Sequence, residues 1–173
     1  MTILPGRIRQ IGYVVNDLDS AVAGWLELGV GPWFVMRNLP QRVSYRGEPC
    51  EITLSLALAN SGDMQIEVIQ QEDATPSVFT EFLSSRGEGF HQLAYWVEDF
   101  DVALHAVEQA GWPIVWRGGE DVGTRFAYAE VPGGPAQVIE IMELNEITSG
   151  MAEFIRAAAA DWDGAEPIRV LGG

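Results

Sequence analysis

Apolar and polar positions alternate over short runs along this chain, and twice an alternating run gives way to a helical spacing. The first run, from Ile8 to Val15, is followed by Ala21, Val22, Trp25 and Leu26; the second, from His91 to Val97, is followed by Val102, Ala103, Ala106 and Val107. A period of two predicts a strand with distinct faces, and a three-to-four spacing predicts an amphipathic helix. Each strand-to-helix junction is rich in aspartate, Asp17 and Asp19 in one case and Asp99 and Asp101 in the other. A carboxylate there can accept from the free N–H groups of the first helical turn. Gly29 and Gly111 then supply the left-handed stop.

These two stretches are copies of each other. QIGYVVNDLDSAVAGWLELG aligns with QLAYWVEDFDVALHAVEQAG at a constant offset of 82 residues, which takes Gln10 to Gln92. The likeness continues with PWFVMR and PIVWR, then with QIEVIQ and VIEIME. Each half therefore reads strand, helix, strand, strand, strand, and a repeat of this kind settles the architecture before any single element does. The expected fold is α+β: two tandem βαβββ modules forming a curved mixed sheet around one cavity, with a linking and a C-terminal helix. The modules span residues 7–74 and 89–145. The linking helix falls in 75–88, with Thr75 as its cap, Pro76 in its first turn and Val78, Phe79, Phe82 and Leu83 as its apolar stripe. Residues 146–173 hold a last helix, capped by Ser149 and carrying Met151, Phe154, Ile155, Ala158 and Trp162 on one side, and a tail.

Composition narrows the function. The chain of 173 residues has 25 acidic groups against 10 basic ones, a net charge of −15, and every basic residue is arginine. A surface of this sign does not exchange for the counterions of nucleic acid, and the lack of lysine excludes Schiff-base chemistry through that side chain. No apolar run reaches the ~20 residues of a membrane span, and the first ten residues lack the form of a signal peptide. A cytoplasmic location is expected, and the single Cys50 suits a reducing compartment.

The candidate chemistry lies in the copied strand ends. Glu67 stands among Ile66, Val68 and Ile69, and Glu140 between Ile139 and Ile141. A carboxylate in an apolar strand is costly to bury unless it is paired or ligates something, and here the cost recurs at equivalent places. Two such groups in one low-dielectric cavity raise each other's pKa and can act as proton donor and acceptor. Strict alternation puts Gln10 with Gly12 and Val14, opposite Arg9; it puts Gln92 with Ala94 and Trp96, opposite His91. Trp96 is accordingly expected against ligand, and His105 on the solvent side of its helix.

The repeat, the aspartate-rich turns, the phrase RGEGFHQLAYWVEDFD and the I-E-V and I-E-I strand ends resemble the vicinal oxygen chelate superfamily of glyoxalases, epimerases, extradiol dioxygenases and bleomycin-resistance proteins. The methylmalonyl-CoA epimerase-like branch is the most similar. That resemblance implies a ligand set of Gln10, Glu67, Gln92 and Glu140 for a divalent metal, and an additional base near Glu51. Two amides and two carboxylates suit Mg²⁺ or Mn²⁺; a bulge turning His91 inward, in place of Gln92, would suit Zn²⁺, Ni²⁺ or Co²⁺. A site without metal is the equal alternative.

The implied activity is proton transfer next to a carbonyl, as in an epimerase, isomerase or lyase. Glu140, Glu67 and Glu51 would move the proton, and Gln10, Gln92 and Trp96 would contact a small substrate of hydrophobic or aromatic character. The alternative is a metal-free protein that sequesters such a molecule, as in the bleomycin-resistance branch. Extradiol dioxygenase chemistry fits poorly, because ferrous iron there takes two histidines and a carboxylate. The family's habit of pairing implies a homodimer.

Overall fold

A computed structural model describes residues 3–172. The element order is β1 (Ile8–Val14), α1 (Leu18–Glu27), β2 (Trp33–Tyr45), β3 (Glu48–Ser61), β4 (Met64–Gln71), α2 (Val78–Arg86), β5 (Gly89–Val97), α3 (Phe100–Gln109), β6 (Ile114–Gly118), β7 (Phe126–Ala129), β8 (Val138–Glu143), α4 (Glu146–Ala160) and β9 (Ile168–Val170). The strand-helix-strand-strand-strand order thus occurs twice. Asp17 caps α1 through Ser20 N–H and Asp99 caps α3 through Val102 N–H. Gly29 and Gly111 follow the two helices at φ of 78° and 73°.

The two halves join through antiparallel β1 and β5, and each half continues outward from that seam, giving the order β3-β4-β1-β5-β8-β7-β6-β2. Because β2 also pairs with β3, the eight strands close into a ring. The contact that closes it is short: Val43, Ser44 and Tyr45 of β2 against Gly118, Arg117 and Trp116 of β6. Parallel pairing occurs between β1 and β4 and between β5 and β8, so the sheet is mixed.

Helices α1 and α3 cover the outside. Leu18 and Val22 of α1 pack with Trp33, Ala57 and Val68, while Ala103, Leu104 and Val107 of α3 pack with Ala127, Ala129 and Ile141. Val102, expected on the apolar side of α3, is exposed, and Phe100 and Leu104 take its place. Helix α2 lies inside the curve, where Val78, Phe79 and Phe82 join Ile52, Leu54, Ile69, Trp116 and Tyr128. Helix α4 packs Ile155 on Phe34 and Leu58 at the opposite end of that same inner face.

Two helix starts differ from the sequence reading. The cap of α2 is Ser77, whose hydroxyl accepts from Phe79 and Thr80 N–H while Thr80 bonds back, so Thr75 and Pro76 stay outside the helix. The cap of α4 is Asn145, with the same reciprocal arrangement through Thr148, and this leaves Ser149 in the first turns. In both cases a side chain three residues on completes a capping box, which favours that start over a lone hydroxyl. The tail adds β9, which runs parallel to the beginning of β2. No helix among the described residues is long and apolar enough to cross a membrane.

Candidate functional site

The four central strands β4, β1, β5 and β8 bring the copied glutamates to one place. Gly12 is registered with Glu67 on one side and Gln92 on the other, and Ala94 with Glu140. Gln92 binds the two acids together: its Nε2 donates to Glu67 Oε2 at 3.1 Å and to Glu140 Oε2 at 3.2 Å, and lies 3.1 Å from the Tyr128 hydroxyl. The amide reaches this position because residue 12 has no side chain; a Cβ there would sit 2.4 Å from Gln92 Cδ.

The register of β1 against β5 slips twice. Tyr13 pairs with Phe90 and Gly12 with Gln92, so His91 is an extra residue in β5; Ile8 pairs with Tyr95 and Gln10 with Ala94, so Arg9 is an extra residue in β1. Arg9 and His91 are equivalent under the 82-residue offset, and each bulge turns its residue onto the inner face beside the following glutamine. This corrects the alternation expected from sequence, which put Arg9 and His91 on the outer face. His91 is fully buried, with ring centroids of Phe82, Phe79 and Tyr128 at 4.9, 5.7 and 6.0 Å. Its Nδ1 is 2.6 Å from Gln92 Oε1. An amide oxygen only accepts, so Nδ1 carries the proton, and Nε2 keeps a lone pair that meets no partner.

Electrostatics sets the two carboxyls apart. Desolvation raises the pKa of both; repulsion from Glu67 raises Glu140 further, well above the ordinary carboxylate range. Glu140 is 5% exposed, whereas Glu67 is half-buried. Near neutrality the pair holds a proton, and the more enclosed Glu140 carries it. Burial drives His91 the other way, to about 4, so its ring is neutral.

The remaining sequence candidates lie further out. Gln10 is buried and donates to Gln65 Oε1 at 2.7 Å, leaving its own Oε1 without a partner. Trp96 is 9% exposed and lies under the Arg9 guanidinium, 4.8 Å from the ring centroid. Glu51 does not belong to the group. Ile52 and Leu54 of β3 take the inner positions, so Glu51 faces solvent with 65% of its side chain exposed and pairs with Arg42. His105 is exposed on α3. Tyr128 was missed by the sequence reading as a partner of the acids; its registration with Glu140 across β7 and β8 places it there.

A divalent metal does not fit this arrangement as it stands. Gln92 turns its amide N–H groups, not its oxygen, towards both carboxylates. Although His91 points inward, it addresses Gln92, and no three His, Cys, Asp or Glu residues among those described are grouped to hold an ion.

A sequence profile for the glyoxalase/bleomycin resistance protein/dioxygenase superfamily matches residues 9–128. The chain belongs to that superfamily. No curated protein matches it in sequence. Among solved structures, a hypothetical protein of Bacillus halodurans is similar at 17% identity and a TM-score of 0.59, over 81% of this chain and 95% of that one. Methylmalonyl-CoA epimerase from Mycobacterium tuberculosis is similar at 21% identity and a TM-score of 0.57, over 83% and 91%. A methylmalonyl-CoA epimerase in complex with methylmalonyl-CoA and NH4+ gives 18% and 0.56, over 82% and 96%. At these identities the likeness is one of fold, and the superfamily's paired βαβββ halves are those described above.

Proposed function

We propose that this chain is an enzyme of the glyoxalase and epimerase type that moves a proton at a carbon next to a carbonyl. The observation that carries the reading is the shared amide. Glu67 and Glu140 lie on either side of Gln92 Nε2, both with raised pKa, and they differ in enclosure. Such a pair suits acid-base work, because one carboxyl can give a proton while the other takes one. Glu67, half-open, is the base; Glu140 is the acid that returns the proton. Gln92 orients both and is itself held by His91 Nδ1–H. Tyr128, whose hydroxyl is pushed to a high pKa by burial, keeps its proton and can offer it to a developing enolate oxygen.

The net charge of −15 disfavours a substrate with several phosphates, so a small hydrophobic molecule suits this chain better than a CoA thioester. Epimerisation, isomerisation and elimination share the first step. A second reading, sequestration without chemistry, is supported by one observation: both Gln92 amide protons are already taken by protein acceptors.

The separating experiment is solvent deuterium exchange, followed by NMR, into small carbonyl compounds incubated with the protein before and after chelator treatment. Exchange that survives chelation and disappears in Glu140→Gln supports the enzyme. Saturable binding with no exchange supports sequestration, and exchange that requires a re-added metal overturns the role given to Gln92.

A further inference from the structure

The inner face has two ends, and they are filled differently. At one end the bulged His91 is packed under α2 among Phe79, Phe82 and Tyr128. At the other the equivalent bulged residue, Arg9, borders a cavity of about 320 Å³ beneath α4, together with Asn60, Asp63, Trp96, Glu153 and Arg156.

Three polar atoms of these lining residues are buried without a partner: Arg9 Nε, Trp96 Nε1 and Asn60 Oδ1. Trp96 and Asn60 are 9% and 6% exposed. Buried N–H groups are rarely left unmade, because each forfeits its hydration. No carboxylate among the described residues is within ion-pairing distance of Arg9, although the chain carries 25 of them. The acids beside the cavity do not serve it: Glu153 is paired with Arg156 at 2.8 Å, and Asp63 is exposed at the rim. The guanidinium instead lies over Trp96, its Cζ 4.8 Å from the ring centroid.

We propose that this cavity is a carboxylate-binding subsite. The Arg9 guanidinium, which has no hydrogen-bonding partner among the described residues, is the primary donor for the carboxylate; Trp96 Nε1–H joins it, and Asn60 Oδ1 accepts from a hydroxyl or amide N–H on the same ligand, once a small side-chain shift opens them to the cavity. Trp96 shares the inner face of β5 with Ala94 and Gln92; it lies two residues, about 7 Å, from the row of Glu140 and four residues, about 13 Å, from the row of Glu67. What the carboxylate is attached to rests on the reading given under Proposed function: a small oxo acid whose labile C–H reaches Glu67 and Glu140 while its carboxylate is held by Arg9.

The test uses phenylacetate and phenylacetamide, which share a shape and differ in charge, titrated into ¹⁵N-labelled full-length protein. The indole N–H signals are followed by NMR, and Trp96→Phe identifies the Trp96 signal. Phenylacetate shifts that signal saturably, and the amide binds at least tenfold more weakly. Arg9→Gln weakens phenylacetate at least tenfold, and Arg9→Lys recovers part of the loss. Equal binding of the two compounds, no shift at Trp96, or unchanged affinity in Arg9→Gln overturns the subsite. The two proposals fail separately. Carboxylate binding without any exchange leaves the subsite standing and sinks the enzyme, whereas exchange indifferent to Arg9→Gln does the reverse.

Discussion

The side chain of Gln92 lies across the bare backbone of Gly12. The ideal Cβ of residue 12 would fall 2.4 Å from Gln92 Cδ and 2.8 Å from its Nε2, distances at which one of the two must move. The bridge between Glu67 and Glu140 therefore depends on a missing side chain in the neighbouring strand.

Gly12→Ala is the direct test of that dependence. The added methyl displaces Gln92, breaks its bonds to both carboxylates and costs about 1–3 kcal/mol of stability, as overpacking of a filled interior does. Urea unfolding measures the loss, and the deuterium exchange proposed above falls with it. A variant as stable and as active as the parent would mean that Gln92 does not need this space.

Stability should fall as pH rises. Glu67 and Glu140 have raised folded-state pKa values, so between about 4.5 and the folded pKa the folded state holds protons that the unfolded chain has released. The stabilisation is complete below the unfolded value and is lost as pH climbs through the folded one, by up to about 1.4 kcal/mol per unit for each carboxyl. His91 acts in the opposite direction, but only below 6.5, where the unfolded ring gains a proton that the folded one refuses. Unfolding measured between about pH 7 and 8.5 thus isolates the acids. Glu140→Gln flattens the slope there, and an unchanged slope would place the titrating group elsewhere.

Helix α2 is held by packing far more than by charge. Phe79→Ala opens a cavity beside His91, Trp116 and Tyr128 and costs about 3–5 kcal/mol. Glu81→Ala removes an ion pair to Arg46 whose partners are 44% and 41% exposed, and it costs at most about 1 kcal/mol. Comparable losses for the two variants in thermal unfolding would contradict this division.

Glu51→Gln leaves proton exchange unchanged. The residue faces solvent beside Arg42, away from Glu67 and Glu140. A tenfold drop in exchange rate would return it to the site.

Much of the architecture was legible in the chain because the repeat states it twice. Asp17 and Asp99 start equivalent helices, Gly29 and Gly111 end them, and Glu67 and Glu140 mark equivalent strands. The positions of Arg9 and His91 were not legible. A bulge is a slip in hydrogen bonding between strands, and hydrophobic alternation along one strand carries no record of it. The caps of α2 and α4 were misplaced for a simpler reason, since the serine and asparagine that serve them each rely on a threonine three residues later. Glu51 could have been set aside from its own neighbours, because an inward Ile52 and Leu54 oblige it to turn away.

The closure of the ring by Val43–Tyr45 and 116–118 has a mechanical consequence. In an open trough the two halves could hinge about the β1–β5 seam to admit a guest; here their rims are laced together. Access to the interior is then left to the two ends of the ring, where α2 and α4 lie, and of the fifteen residues of α4 only Ile155 is buried.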